Sequence, residues 1–442
     1  MQFDGDVFAA PLASAAPAQP KPPKKQLLGS ARGAEPARRR PAAATKPVKA
    51  RTVSQAVTAS TAKVGGAAAS AKKTQALAEA LASPLLTPTV SQMSERLPSQ
   101  VLRLGADFSG YGSDSLALRA LGIPHKVSFV CESCPRKRAL HEALHGRMKS
   151  RRIYKDAASR DPESMPDVDL LVSGAPCPPW SSAGKQKGLQ DVRGSLLFKS
   201  LAYARAKRPR CVVLENVKGL TFKKNAPVLA AIIRVLKTCG YRVWRRVVNT
   251  RQHGIPQSRP RLYIVGIQSV AVAHKFHFPK PVPCAELGRF LRRDVPDSDV
   301  PPLRGRALKH VQRARRKTPN AVGLVVDTGA SKRFASAMVG CSPCLTKSRS
   351  RGYFLVDHNR YMTVHEMGGL QGLGSSLIDR MLEVESSTFI GSALGDAMSV
   401  NVLSRVLARA LYSAGLVPSL PTDVWARVPA AGRLPDALLD VV

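Results

Sequence analysis

The residue best placed by its neighbours to do chemistry is Cys177, which stands between prolines in Pro176-Cys177-Pro178-Pro179. It follows an apolar run, Val168 to Val172, interrupted only by Asp169, which reads as the end of a buried strand. The flanking prolines fix the backbone and remove two amide donors, so neither a helix nor a strand ladder runs through the thiol. Small and glycine-rich residues follow as far as Gly194, carrying Lys185, Lys187 and Arg193. A thiol held at a strand end ahead of a basic loop suits a nucleophile that meets a polyanion. The plainer alternative is a small buried residue in a proline-rich turn, which free cysteine often is. The surrounding elements must decide.

Those elements alternate. Val101 to Phe108 reads as a strand ending in Ser109-Gly110-Tyr111-Gly112-Ser113-Asp114, and Ser115 to Leu121 as a helix. A strand, a glycine turn and a helix N-terminus let a nucleotide-like ligand approach backbone amides. Val127 to Cys131 is a second strand ending at Glu132, an acid about twenty residues further on, suited to ribose hydroxyls. Asp156, just before a third strand region, is a candidate contact to the base of such a ligand. Helix Ser195 to Lys207 precedes strand Arg210 to Leu214, which ends in Glu215-Asn216-Val217. Helix Ala226 to Thr238 and strand Tyr241 to Val248 follow, then Gln257-Ser258-Arg259-Pro260-Arg261 and strand Leu262 to Ile267. Polar groups gathered at strand C-termini predict an α/β fold with a doubly wound, mostly parallel sheet and a cleft at those ends.

Charge narrows the partners. The net charge of +38 implies a polyanion, most simply nucleic acid. Anionic membranes compete, but no apolar run is long enough to span a bilayer, so no membrane is expected. Met1 to Asp6 lacks the apolar core of a secretory signal. The eight cysteines are too sparse for a disulfide framework and suit a reducing compartment. Cys131/Cys134 and Cys341/Cys344 form two C-x-x-C pairs, but they lie roughly two hundred residues apart against apolar sequence, so no metal site is expected.

Composition divides the chain. Residues 1–97, rich in Ala, Pro, Ser, Thr, Lys and Arg, are expected to be a disordered tail. Its basic clusters, Lys21 to Lys25 and Arg38 to Arg40, suit nuclear targeting in a eukaryote; otherwise the cytoplasm is expected. Residues 98–275 form the expected catalytic domain and 276–387 a smaller, irregular lobe. Arg304, Arg306, Lys309, Arg313, Arg315, Arg316 and Lys317 give this lobe a basic run favouring phosphate contact over a merely solvated face. Gly391 to Arg409 reads as one helix inside a closing segment, 388–416, before a tail, 417–442.

Taken in order, these motifs resemble the S-adenosylmethionine-dependent cytosine C5 methyltransferases across roughly residues 100 to 412. Asp107-Phe108-Ser109-Gly110-Tyr111-Gly112 is similar to the family's first cofactor loop, and Glu132 to its ribose-binding acid. Pro176-Cys177-Pro178-Pro179-Trp180-Ser181, continued through Gly184, Asp191, Arg193 and Gly194, resembles the nucleophile motif. Glu215-Asn216-Val217 resembles the catalytic-acid motif, and Gln257-x-Arg259-x-Arg261 the arginine motif facing the target base. Leu345-Thr346 with Thr363, Glu366, Leu370, Gln371 and Gly372 resembles the segment organising the recognition lobe. Gly391 to Val400, through Asp396, Met398 and Ser399, resembles the closing helix beside the cofactor. Two positions depart: Ser113-Asp114 replaces the usual second glycine of the cofactor loop, and Asp396 replaces the usual Asn.

The resemblance implies a Rossmann-like fold with S-adenosylmethionine near Asp107, Phe108, Ser109, Gly110, Gly112, Glu132, Asp156, Pro176, Asp396, Met398 and Ser399. It implies DNA as the partner, with structured RNA as the alternative, and Ser181, Lys185, Arg193 and Gln257 as substrate contacts. Cys177 would attack C6 of cytosine, Glu215 would hold N3, Arg259 would hold O2 or a phosphate, and Arg261 would support them as an ion pair. A nucleic-acid-binding relative without activity is the reading from another class, and retention of both Cys177 and Glu215 argues against it.

Overall fold

The computed structural model describes residues 79, 101–149, 152–176, 192–293, 295, 303–331 and 336–427. The expected disordered tail, apart from residue 79, lies outside the described residues, as do Cys177, Ser181 and Lys185. All described residues fall within one unit, Val57–Val442.

Seven strands form the central sheet: β1 Leu102–Asp107, β2 His125–Cys131, β3 Ile153–Tyr154, β4 Leu170–Ser173, β5 Cys211–Val217, β6 Tyr241–Asn249 and β7 Pro260–Gln268. Their order is β3-β2-β1-β4-β5-β7-β6. The first five in this order run parallel, whereas β7 lies antiparallel to both β5 and β6. Helices α1 Ser113–Ala120, α2 Pro135–His145, α3 Leu196–Lys207 and α4 Ala226–Thr238 connect them. The central strands are buried on both faces, which is why β4 and β5 read as nearly unbroken apolar runs. From β1 the chain proceeds to β2 on one side, then returns to β4 on the other. Ligand crevices form at such a reversal, between the loops leaving the two strands. Those loops are 108–112 and the 174–176 approach to Cys177.

A second sheet follows α5 Gly305–Lys317: β8 Leu324–Asp327, β9 Ala337–Val339, β10 Tyr353–Leu355 and β11 Arg360–Tyr361, ordered β11-β10-β8-β9. Val311 and Ala314 of α5 pack with Leu324, Val326 and Phe354 in a small core. The basic side of α5, including Arg306, Lys309, Arg313 and Arg316, stays exposed. Helices α6 Val364–Gly369, α7 Ser375–Leu382, α8 Ser387–Asp396 and α9 Val400–Ser413 complete the described chain. Helices α3 and α4 cover one face of the central sheet, whereas α1 and α9 pack in the other hydrophobic core.

Three expectations change. The sequence places Asp156 before its third strand, but β3 precedes Asp156 and the strand at 170 is the fourth. A two-residue strand carries too little periodicity to read. The single helix expected over Gly391 to Arg409 is two, α8 and α9, interrupted at Ala397 by extended backbone, φ −82° and ψ 162°. Glu215 lies within β5 and not beyond its end.

Asp114 opens α1 while only 1% exposed, and its Oδ2 has no partner. Burial pushes its carboxyl up to about 7. Between about pH 4 and 7 the folded chain holds a proton that the unfolded chain has lost, so stability falls as pH rises through this window. Asp114→Asn is expected to raise stability at pH 8 by about 1–4 kcal/mol and to change it little at pH 4. Denaturant midpoints at the two pH values check this; an equal gain at both would contradict it.

Candidate active site

The loop after β1 is held in an uncommon conformation. Phe108 has φ 57°, a region a bulky residue rarely occupies, and its amide donates to Cys131 O at 2.7 Å. Gly110 (φ 60°) and Gly112 (φ 88°) continue the turn. A Cβ on Gly112 would lie 2.3 Å from His145 Nε2, so only glycine fits. Glu132 braces the loop: Oε2 accepts from Gly110 N at 3.1 Å and Oε1 from Cys134 N at 2.8 Å. Ser109 Oγ is buried without a partner, whereas the space in front of Gly110 is open. Asp156 is exposed beyond β3, with Oδ1 accepting from Ala158 N at 2.8 Å. Met398 reaches this loop as well: a methyl on Gly174 would touch Met398 Cε at 3.6 Å and Phe108 O at 3.8 Å.

On the other side of the crevice, Asn216 donates to Ala175 O at 3.2 Å. This ties β5 to the backbone two residues ahead of Cys177 and brings the neighbouring Glu215 to that exit. Glu215 is 8% exposed, and Arg261 Nε lies 3.3 Å from its Oε1. Burial pushes the carboxyl up; Arg261 and Arg259 oppose the shift without cancelling it, and Asp396 adds to it. Glu215 is therefore a carboxyl raised above its ordinary value, the direction an acid working near neutral pH requires.

Arg259 and Gln257 are corrected. Arg259 was expected to grip base or phosphate, but it is 2% exposed and its guanidinium serves the main chain. Nη1 donates to Leu345 O at 2.7 Å and to Gly395 O at 3.3 Å, and Nη2 donates to Ala397 O. Two of these carbonyls, those of Gly395 and Ala397, lie at the break between α8 and α9. Gln257, expected on the substrate, is wholly buried: it donates to Leu370 O at 2.6 Å and accepts from Leu345 N at 3.1 Å. Arg261 is the motif arginine beside Glu215.

Asp107 and Ser399 are likewise not oriented toward a ligand. Asp107 is fully buried, bound by both Arg160 amino groups, one at 2.6 Å from Oδ2, and by Ser200 Oγ at 2.7 Å. Ser399 donates to Gln371 Oε1 at 2.7 Å and lies 3.0 Å from Thr250 Oγ1. Asp396 meets Lys137 Nζ at 2.8 Å and Lys347 Nζ at 3.1 Å. Burial would raise its carboxyl, but these two lysines outweigh burial and hold it below the usual range. Arg160, Lys137 and Lys347 escaped sequence reading. A carboxylate inside an apolar strand and a carboxylate where the family has Asn each require a cation, but spacing does not say which one. Among the described residues no helix is long and apolar enough to cross a membrane, and no three His, Cys, Asp or Glu are placed to hold a metal.

A sequence profile described as C-5 cytosine-specific DNA methylase matches residues 107–411. The chain belongs to this family. It is 32% identical over 268 residues to Type II methyltransferase M.NgoBI of Neisseria gonorrhoeae, covering 60% of this chain and 80% of that protein. Type II methyltransferase M.HhaI of Haemophilus parahaemolyticus is 29% identical over 264 residues, covering 57% and 78%. In fold, the chain is similar to the Entamoeba histolytica methyltransferase EhMeth at TM-score 0.53 and 16% identity, covering 71% of this chain and 99% of that one. These curated relatives are bacterial and lend the nuclear expectation no support. Members of this methylase family use S-adenosylmethionine as methyl donor. The orphaned Ser109 Oγ, the open space at Gly110 and the Glu132 carboxylate fit its polar groups.

Proposed function

We propose that this methylase transfers a methyl group to C5 of cytosine in DNA through a covalent bond between Cys177 and C6. The carrying observation is Glu215, a carboxyl that burial raises above its ordinary value, beside Arg261 and tied through Asn216 to the backbone approaching Cys177. Ser109, Gly110, Glu132 and Met398 would hold S-adenosylmethionine, which supplies an electrophilic methyl on a sulfonium.

The Cys177 thiolate forms an S–C6 bond, and the C5–C6 π pair moves onto C5 as ring aromaticity is lost. Glu215 donates its proton toward N3 and stabilises the charge gathering there. C5 takes the methyl, whose sulfonium leaves as a neutral thioether; a base then removes the C5 proton, N3 returns its proton to Glu215 and the S–C6 bond breaks, which restores the ring, the acid and the thiolate. Arg261 keeps Glu215 oriented. A base stacked in a duplex cannot reach such a crevice, so the cytosine must swing out, with loop 181–194 as the proposed clamp. The basic face of α5 and the net charge of +38 suit the phosphate backbone.

Labelled methyl transfer to DNA and to structured RNA, assayed side by side, tests this proposal. Transfer to DNA with 5-methylcytosine as product is expected; transfer to RNA alone would overturn the DNA assignment.

A further inference from the structure

Cys344 belongs to no part of the motif pattern, yet it sits among the site's charges. Its Sγ accepts from Arg259 Nη1 and from Arg261 Nη2, each at 3.6 Å. Arg261 directs its Nε to Glu215 Oε1 at 3.3 Å. A single guanidinium thus spans the sulfur and the carboxyl. Two arginines facing Glu215 alone would favour the carboxylate, whereas the proposed role of Glu215 needs its proton.

We propose that Cys344 is a positioning residue for that proton: its sulfur shares the Arg261 guanidinium with Glu215 and offsets the positive charge of the arginine pair, leaving the carboxyl able to stay protonated. This rests on Glu215 acting as the proton-bearing acid.

The surrounding charges agree. Burial would raise the Cys344 thiol, but Arg261 and Arg259 outweigh it through charge and hydrogen bonding and hold it below an ordinary thiol. Tyr353, which donates to Cys344 O at 2.9 Å, and Tyr263, beside Glu215, are both raised by burial and stay neutral. Asp396 is the other anion facing Glu215, and Lys137 and Lys347 already hold it. The Cys344 sulfur, which also donates to Leu345 O at 3.3 Å, is thus an acceptor that the arginine pair holds beside Glu215.

The test is the pH profile of single-turnover methyl transfer in Cys344→Ser. Serine keeps the size and a weak acceptor but not the negative charge. With the counter-charge gone, Glu215 loses its proton at lower pH, so the alkaline limb is expected to move down by about half to one pH unit. At a fixed pH on that limb the rate is expected to fall by about 3- to 10-fold with KM unchanged. A profile that overlays the wild type would overturn the proposal, because a packing role would not move the limb. Should the serine variant misfold, alkylation decides. In Cys177→Ser protein, iodoacetamide labelling of the Cys344 peptide, followed by mass spectrometry across pH, is expected to show a midpoint below about 8.5, the ordinary thiol value, that rises in Arg261→Gln. A midpoint at or above that value and insensitive to Arg261→Gln would overturn it. An alkaline limb that survives Glu215→Gln would sink the Glu215 reading and this proposal together. A limb lost there but unmoved in Cys344→Ser would sink this proposal alone.

Discussion

Cys177→Ser is expected to cut methyl transfer at least about a thousandfold while leaving the fold and S-adenosylmethionine binding in place. A serine hydroxyl keeps its proton at neutral pH, so C6 is not attacked and C5 never becomes nucleophilic. The expectation rests on chemistry at both sides of the residue. Ahead of it, Ala175 is fixed by Asn216 and Gly174 lies against Met398 and Phe108, so the chain is delivered to the crevice between β1 and β4. Across from that exit stands Glu215, the proposed acid, whose carboxyl burial raises above its ordinary value. Labelled methyl transfer, with calorimetric cofactor binding as control, checks the loss. Activity within tenfold of wild type would contradict the nucleophile assignment.

The second large effect concerns stability. Asp107 and Arg160 are 0% and 1% exposed at their side chains, 53 positions apart in sequence, with Ser200 completing the carboxylate's shell. Removing one partner leaves a buried charge unpaired, so Asp107→Ala is expected to destabilise the protein by about 3–5 kcal/mol. Against a total of about 5–15 kcal/mol for a typical domain, that loss would leave much of the protein unfolded at 37 °C. The double replacement Asp107→Leu with Arg160→Met removes both charges at similar volume and is expected to recover most of the stability. Denaturant unfolding of the three proteins checks this. If Asp107→Ala instead kept its stability and lost only cofactor affinity, Asp107 would be the ligand contact first expected from its motif and not a structural ion.

Much of the architecture was legible because parallel strands buried on both faces leave apolar runs and glycine turns leave fixed signatures. Helix Ala226–Thr238 coincides with its sequence reading residue for residue. The strand end carrying Glu132 was legible for the same reason, whereas the continuation of β5 through Glu215 was not. What sequence could not provide was the fate of side chains whose partners come from far along the chain. Arg259 and Arg261 are equivalent in a motif; only the carbonyls of Gly395 and Ala397, more than a hundred residues away, make one an internal strut. The helix break at Ala397 is the other half of the same contact. Asp107 and Gln257 misled for this reason too, since both are motif residues whose partners face inward. Cys344 was legible only as half of a C-x-x-C pair, because its place beside the site comes from two arginines that the sequence places over eighty positions upstream.

The central claim is tested most directly by covalent capture. Incubation with S-adenosylmethionine and a DNA oligonucleotide containing 5-fluorocytosine should arrest the reaction after methyl transfer, because fluorine at C5 cannot leave as a proton does. The account predicts a denaturation-resistant protein–DNA adduct carrying one added methyl and mapping by mass spectrometry to Cys177, absent without S-adenosylmethionine and absent in Cys177→Ser. No adduct with DNA, or an adduct mapping to another residue, would contradict it.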